Sequence, residues 1–111
     1  MVVANSLHAQ EFKSQLFENL IYLDLRRAGY DVSYYLTKNG YEIDFVTTEN
    51  GEPLDLFQAC YSLDDPAVEF RESRALDQAR QELSLQKGQI VTLDNYFAWV
   101  EALGLSDLSP G

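Results

Sequence analysis

The sequence is poor in the residues that build metal and redox sites. It has one cysteine, Cys60, and one histidine, His8, in 111 residues. A lone cysteine excludes an internal disulfide, and one Cys with one distant His cannot form a structural zinc site. A single thiol suits a reducing cytoplasm. Positive charge is scarce too, with eight Lys and Arg against eighteen Asp and Glu and a formal net charge of -10. Such a surface repels phosphodiester backbones unless a basic stripe or a bound metal intervenes, so non-specific nucleic-acid binding is disfavoured. No apolar run reaches the roughly 20 residues that span a bilayer, and no signal-peptide core is present, so no membrane partner is expected. A Gly-x-x-x-x-Gly-Lys-Ser/Thr loop is missing as well, which places any ATP-binding machinery outside these residues. There are no repeats and no low-complexity segment.

What remains is a chain that can fold. A hydrophobic fraction of 46% with 13% aromatics argues for a globule, and 111 residues suffice for one domain and not for two. The ordered core is expected over about residues 9–104. From residue 9 to 28, apolar residues recur at Phe12, Leu16, Phe17, Leu20, Ile21, Leu23, Leu25 and Ala28, a helical stripe ended by Gly29. On the helical wheel Glu18 sits at the edge of the polar arc. Asp24 instead projects into the apolar arc between Phe17 and Leu20, and so needs Arg27 or a backbone donor as partner.

Residues 31–37 carry Val32, Tyr34, Tyr35 and Leu36 and read as a strand, followed by the turn signal Asn39-Gly40. A second strand over residues 41–48 and a third over residues 54–60, joined around Asn50-Gly51, complete an antiparallel meander. Asp65 can cap a second helix that has Pro66 in its first turn and runs to about Leu85 before Lys87-Gly88. Its charged face interleaves both signs and reads as a solvated surface. Gln89 to Leu93 reads as a fourth strand, parallel to a neighbour because it follows a helical crossover. Asp94-Asn95 then opens a last helix through Trp99. The expected class is α/β (α+β), in the order α-β-β-β-α-β-α, with a mixed sheet of about four strands.

Residues 39–60 hold the candidate chemistry. Strand alternation sends Tyr41, Ile43, Phe45 and Thr47 to one side and Glu42, Asp44 and Val46 to the other. Asp is a poor strand former, so Asp44 between Ile43 and Phe45 needs a polar partner or a function. Tyr30, Tyr34, Tyr35 and Tyr41 form an aromatic group that suits either a protein interface or ordinary sheet packing.

The segments Leu16-Phe17-Glu18-Asn19-Leu20, Gly40-Tyr41-Glu42-Ile43-Asp44-Phe45-Val46 and Gln58-Ala59-Cys60-Tyr61-Ser62-Leu63 resemble a C-terminal domain of unknown function. That domain follows an AAA-superfamily ATPase module in bacterial and archaeal proteins. It is similar in turn to the PD-(D/E)xK, or restriction-endonuclease-like, nuclease superfamily. The resemblance runs from about Leu16 to Leu93, and it departs after the fourth strand, where the family usually carries a further strand. It implies a restriction-endonuclease-like fold, with the ATPase module of a parent protein or another protein as partner.

It also implies a site. Nucleases of this superfamily bind Mg²⁺ with an Asp on one strand and an acid in an E-x-K motif on the next, where the Lys supports the attacking water. Hard divalent ions favour carboxylate oxygens, and Mg²⁺ takes only one or two of them. Asp44 matches the first acid, and Glu18 matches the acid of the first helix, with Asp24 an equal candidate by the wheel alone. At the motif positions stand Gln58 and Cys60. A neutral amide removes charge from a metal cage, and Cys60 cannot supply the cation. A cysteine nucleophile would need a base, and His8 lies far from it in sequence. The expectation is a degenerate site without cofactor, acting in recognition or regulation. The alternative is an Mg²⁺-dependent nuclease built on Asp44 with Glu18 or Asp24.

Overall fold

Short glycine turns set the chain reversals. In the computed structural model, which describes the backbone of residues 5–104 and side chains from residue 9, the elements are α1 (Asn5–Arg27), β1 (Asp31–Leu36), β2 (Glu42–Glu49), β3 (Glu52–Ala59), α2 (Pro66–Leu83), β4 (Gly88–Val91) and α3 (Tyr96–Ala102). Asn50 and Gly51 both take positive φ, 54° and 81°, the two-residue hairpin conformation that matches strand twist. At the other Asn-Gly pair only Gly40 does so, in a longer turn. The sheet runs β1-β2-β3-β4, antiparallel except for the parallel pair β3/β4. The expected α+β element order and mixed four-stranded sheet are therefore present. None of the helices of the described residues is long and apolar enough to cross a membrane.

Helices cover both faces of the sheet. On one face α1 contributes Phe17, Ile21 and Leu25, and α3 contributes Trp99, packed on Phe45, Phe57 and Val91. On the other, Ala75, Leu76 and Ala79 of α2 lie on Ile43, Val46 and Leu56. Asp65 caps α2, accepting from the Ala67 amide at 2.9 Å, ahead of Pro66. The helix stops at Leu83, short of the expected Leu85, because Ser84 turns left-handed (φ 57°) and Leu85 folds back onto the core. Gly88 serves β4 instead of ending the helix. A Cβ there would stand 3.1 Å from the Leu76 side chain, so its absence permits close approach of strand and helix. Asn95 precedes α3 without capping it. Its amide accepts from Thr92 N and donates to Ile90 O, bracing the end of β4.

Two sequence expectations need correction. The first is the alternation in β2. Ser33 pairs with Val46 but Tyr35 pairs with Ile43, so Asp44 and Phe45 together oppose Tyr34 in a β-bulge. The extra residue shifts the phase. Ile43 and Val46 thus face α2, while Phe45 faces α1 and α3. The second is the apolar arc of α1, of which only part is buried. Phe12, Leu16, Leu20 and Leu23 remain exposed, because the helix meets the sheet along one line and nothing among the described residues covers its far side.

Asp24, 2% exposed, is paired as its position requires. Arg27 donates to one carboxylate oxygen at 3.3 Å, and the Tyr96 hydroxyl donates to the other, tying α3 to α1. Burial, followed by this bond, raises the Tyr96 hydroxyl pKa well above the usual tyrosine range. Tyr96→Phe leaves one buried carboxylate oxygen without its donor and is expected to cost about 1–3 kcal/mol. Urea unfolding at pH 7 measures it, and a wild-type midpoint would show that the bond contributes nothing net.

Candidate functional site

The sheet forks where β2 and β3 part, and one side chain makes the fork. The β2/β3 pairing ends at Phe45 opposite Phe57, while β3 continues along β4 to Ala59 opposite Val91. Cys60 extends that side, its amide donating to Val91 O at 2.9 Å. In the gap the Gln58 side chain replaces backbone pairing. Its Oε1 accepts from Asp44 N at 2.7 Å and its Nε2 donates to Glu42 O at 3.0 Å. A carboxamide has the same donor and acceptor as a peptide group, so it can bridge strands that no longer touch. Asp44 returns the link from the other strand, with Oδ2 accepting from Ala59 N at 2.8 Å.

An open cleft of about 920 Å³ lies over this fork between α1 and α2. Among the described residues, Glu18, Glu42, Asp44, Asp64 and Glu72 line it together with two cations, Lys13 and Arg71. Burial is the first cause of a raised pKa at Glu18, reinforced by Asp44 and then Glu72. Burial likewise raises Glu72, with Asp44 adding to it and Arg71, 3.5 Å away, opposing. Asp44 is raised by burial, partly countered by the Ala59 N–H, and Glu42 adds to the rise. The cleft therefore crowds like charge, which Glu18, Asp44 and Glu72 relieve by holding their protons to higher pH.

Cys60 also lines the cleft. Burial raises its thiol pKa above the ordinary value, against the opposing backbone hydrogen bond at Ser62, whose carbonyl oxygen lies 3.0 Å from Sγ. That environment is the opposite of one that activates a nucleophile. The side chain of His8 lies outside the described residues.

Of the residues singled out in the sequence, Glu18, Asp44 and Cys60 come together here. Gln58 does not line the cleft; it is 1% exposed and spent on the backbone beneath. Asp24 belongs to the α1/α3 contact. Glu72 escaped notice because it lies on the mixed-charge face of α2, where nothing local separates a half-buried acid from a solvated one. Among the described residues no group of three or more His, Cys, Asp or Glu side chains is placed to hold a metal ion. The tyrosines do not form one surface. Tyr30 packs against the α1/α3 core, Tyr35 and Tyr41 against the α2 core, and Tyr34 is exposed. Tyr35 donates to Glu82 at 2.6 Å, and the Lys38 amide reaches the same carboxylate, which pins the β1/β2 turn to α2.

The fold and the cleft define an α+β domain with a four-stranded mixed sheet and an acid-lined groove at its forked end. A family model described as "Domain of unknown function (DUF4143)" matches residues 13–101, and the chain belongs to that family. No curated protein and no solved structure matches it.

Two substitutions probe this arrangement. The raised pKa of Glu72 means that the folded state binds its proton more tightly than the unfolded chain does. Stability from this group is thus full below about pH 4 and lost as pH rises through the raised value. Glu72→Gln is expected to raise the urea midpoint at pH 7, with the gain vanishing below about pH 4. A loss of stability at pH 7 would contradict the crowding. Gln58→Glu should instead destabilise by about 1–3 kcal/mol at neutral pH, since the second oxygen of the introduced carboxylate opposes Glu42 O without a proton. An unchanged midpoint would refute the bridging role.

Proposed function

We propose that this domain is a catalytically silent recognition module, the restriction-endonuclease-like accessory domain of a larger ATPase, holding a cationic segment of a partner in its acidic cleft. The partner on this reading is the ATPase module of the parent protein or another protein, in a reducing cytoplasm. The ATPase link and the nuclease ancestry rest on the resemblance of the three quoted segments. The element order and the acid on β2 are in keeping with them.

The commitment of Gln58 carries the reading. Both polar atoms of its amide bond Asp44 N and Glu42 O, and the side chain lies buried beneath the cleft, outside its lining. The position two residues on holds a protonated thiol where the nuclease chemistry needs a cation. A cleft with five acids and two bases attracts positive charge instead, and Asp44 has no ion pair of its own among the described residues.

The second reading, an Mg²⁺-dependent nuclease, draws on the mutual repulsion of Glu18, Asp44 and Glu72, which a divalent ion would relieve. Titration calorimetry with Mg²⁺ and Mn²⁺ separates the two. Recognition alone predicts no heat from sites tighter than about millimolar and no cleavage of plasmid DNA. A Lys- and Arg-rich peptide should bind, weakening about tenfold in Glu18→Gln/Glu72→Gln. Micromolar metal binding abolished by Asp44→Asn would favour the nuclease.

A further inference from the structure

The sheet has two outer edges, and they are finished differently. At β4, Val91 O accepts from Cys60 N, so strand alternation turns the N–H and C=O of Ile90 away from β3. The Asn95 carboxamide covers that side, donating to Ile90 O at 3.0 Å and accepting from Thr92 N at 2.8 Å. It stands where the peptide group of a further strand would stand. The edge of β1 has no such cover. Thr37 N donates to Tyr41 O, toward β2, and the bulge lies in β2, so β1 alternates without interruption. The backbone groups of Val32, Tyr34 and Leu36 therefore point outward, and none of them has a partner among the described residues.

This open edge is also uncharged. Between Asp31 and Lys38 the chain reads Val32-Ser33-Tyr34-Tyr35-Leu36-Thr37, without one charged side chain, in a protein of net charge -10. Tyr34 is 64% exposed and Leu36 52%. Edge strands are ordinarily blunted by charge, proline or a covering segment, and among the described residues β1 has none of these. We propose that β1 pairs with β1 of a second copy of this chain, antiparallel across a two-fold axis at Tyr34. Tyr34 then faces its own counterpart and exchanges both backbone hydrogen bonds with it, while Leu36 lies opposite Val32 of the second copy. The strand is self-complementary in this register, because apolar side chains meet across the axis and no like charges stand opposite one another. The closed edge of β4 completes the argument. With Asn95 in place the joined sheet ends at β4 in each copy, so the assembly stops at a dimer instead of growing into a fibre. No residue of β1 lines the acidic cleft, and the pairing is independent of the function proposed for it.

Sedimentation velocity of the chain over about 10–300 μM should show a monomer and a dimer in exchange, with the dimer favoured as salt screens the repulsion between two acidic copies. Tyr34→Lys sets two cations together at the axis, and Tyr34→Pro removes the outward N–H without breaking a bond to β2. Each is expected to weaken the dimer at least about tenfold. Tyr34→Lys changes an exposed side chain and should keep the wild-type urea midpoint, so it decides the matter if the proline variant does not fold. In a Cys60→Ser background, Tyr34→Cys should form an intermolecular disulfide on mild oxidation, since facing Cα atoms of such a pair lie about 5.5 Å apart. Asn95→Ala opens the second edge and should add species larger than a dimer. A monomer at every concentration, a dimer indifferent to Tyr34→Lys, or one lost instead in Leu16→Asn/Leu23→Asn would overturn the proposal. So would absence of the cross-link, or an Asn95→Ala chain that stops at the dimer.

Discussion

The carboxamide of Gln58 is the constraint on which the site depends. Buried backbone groups must be paired, and two strands that diverge leave donors and acceptors facing a gap. A side chain with one donor and one acceptor spans that gap at Asp44 N and Glu42 O, and the fork can exist without orphaned peptide groups. With the strands apart, Asp44 can reach across to Ala59 N and still line the cleft. The same bond that opens the sheet also removes Gln58 from any chemistry above it. Scaffold and catalysis compete for one side chain, and here the scaffold has it.

The bulge in β2 works together with the fork. By setting Asp44 and Phe45 against Tyr34 alone, it turns Phe45 into the α1/α3 core while Ile43 and Val46 serve α2. One inserted residue thus sets which side chains of the strand serve each core and where along it the acid falls. Polar pairs then lock the layers. Asp24 holds Tyr96 across α1 and α3, and Glu82 holds Tyr35 and the Lys38 amide across α2 and the first hairpin. Both are long in sequence separation, so they fix layers rather than elements.

Electrostatics divides the surface into two kinds of ground. In the cleft, partly buried carboxylates raise one another's pKa, and the two nearby cations leave an excess of negative charge. On the outer face of α1 the ground is apolar, with Phe12, Leu16, Leu20 and Leu23 exposed.

Much of this architecture was legible in the sequence, because it rests on local physics. Glycine at Gly29 and Gly51, the Asp65-Pro66 cap and the change from helical to strand periodicity fix the elements and their order wherever the chain packs. The antiparallel meander and the parallel return of β4 follow from turn length and crossover. The residues of the site were legible only in part. Asp44, Glu18 and Cys60 stood out by type and position, but the bulge that re-aims Asp44 depends on the register against β1, which no residue of β2 announces. Gln58 read as a weakened metal ligand because its partner groups are backbone atoms, which leave no trace in a sequence. Glu72 and the uncovered side of α1 were hidden for one shared reason. Periodicity tells which residues share a face, and only the packed structure decides which faces are covered and by what.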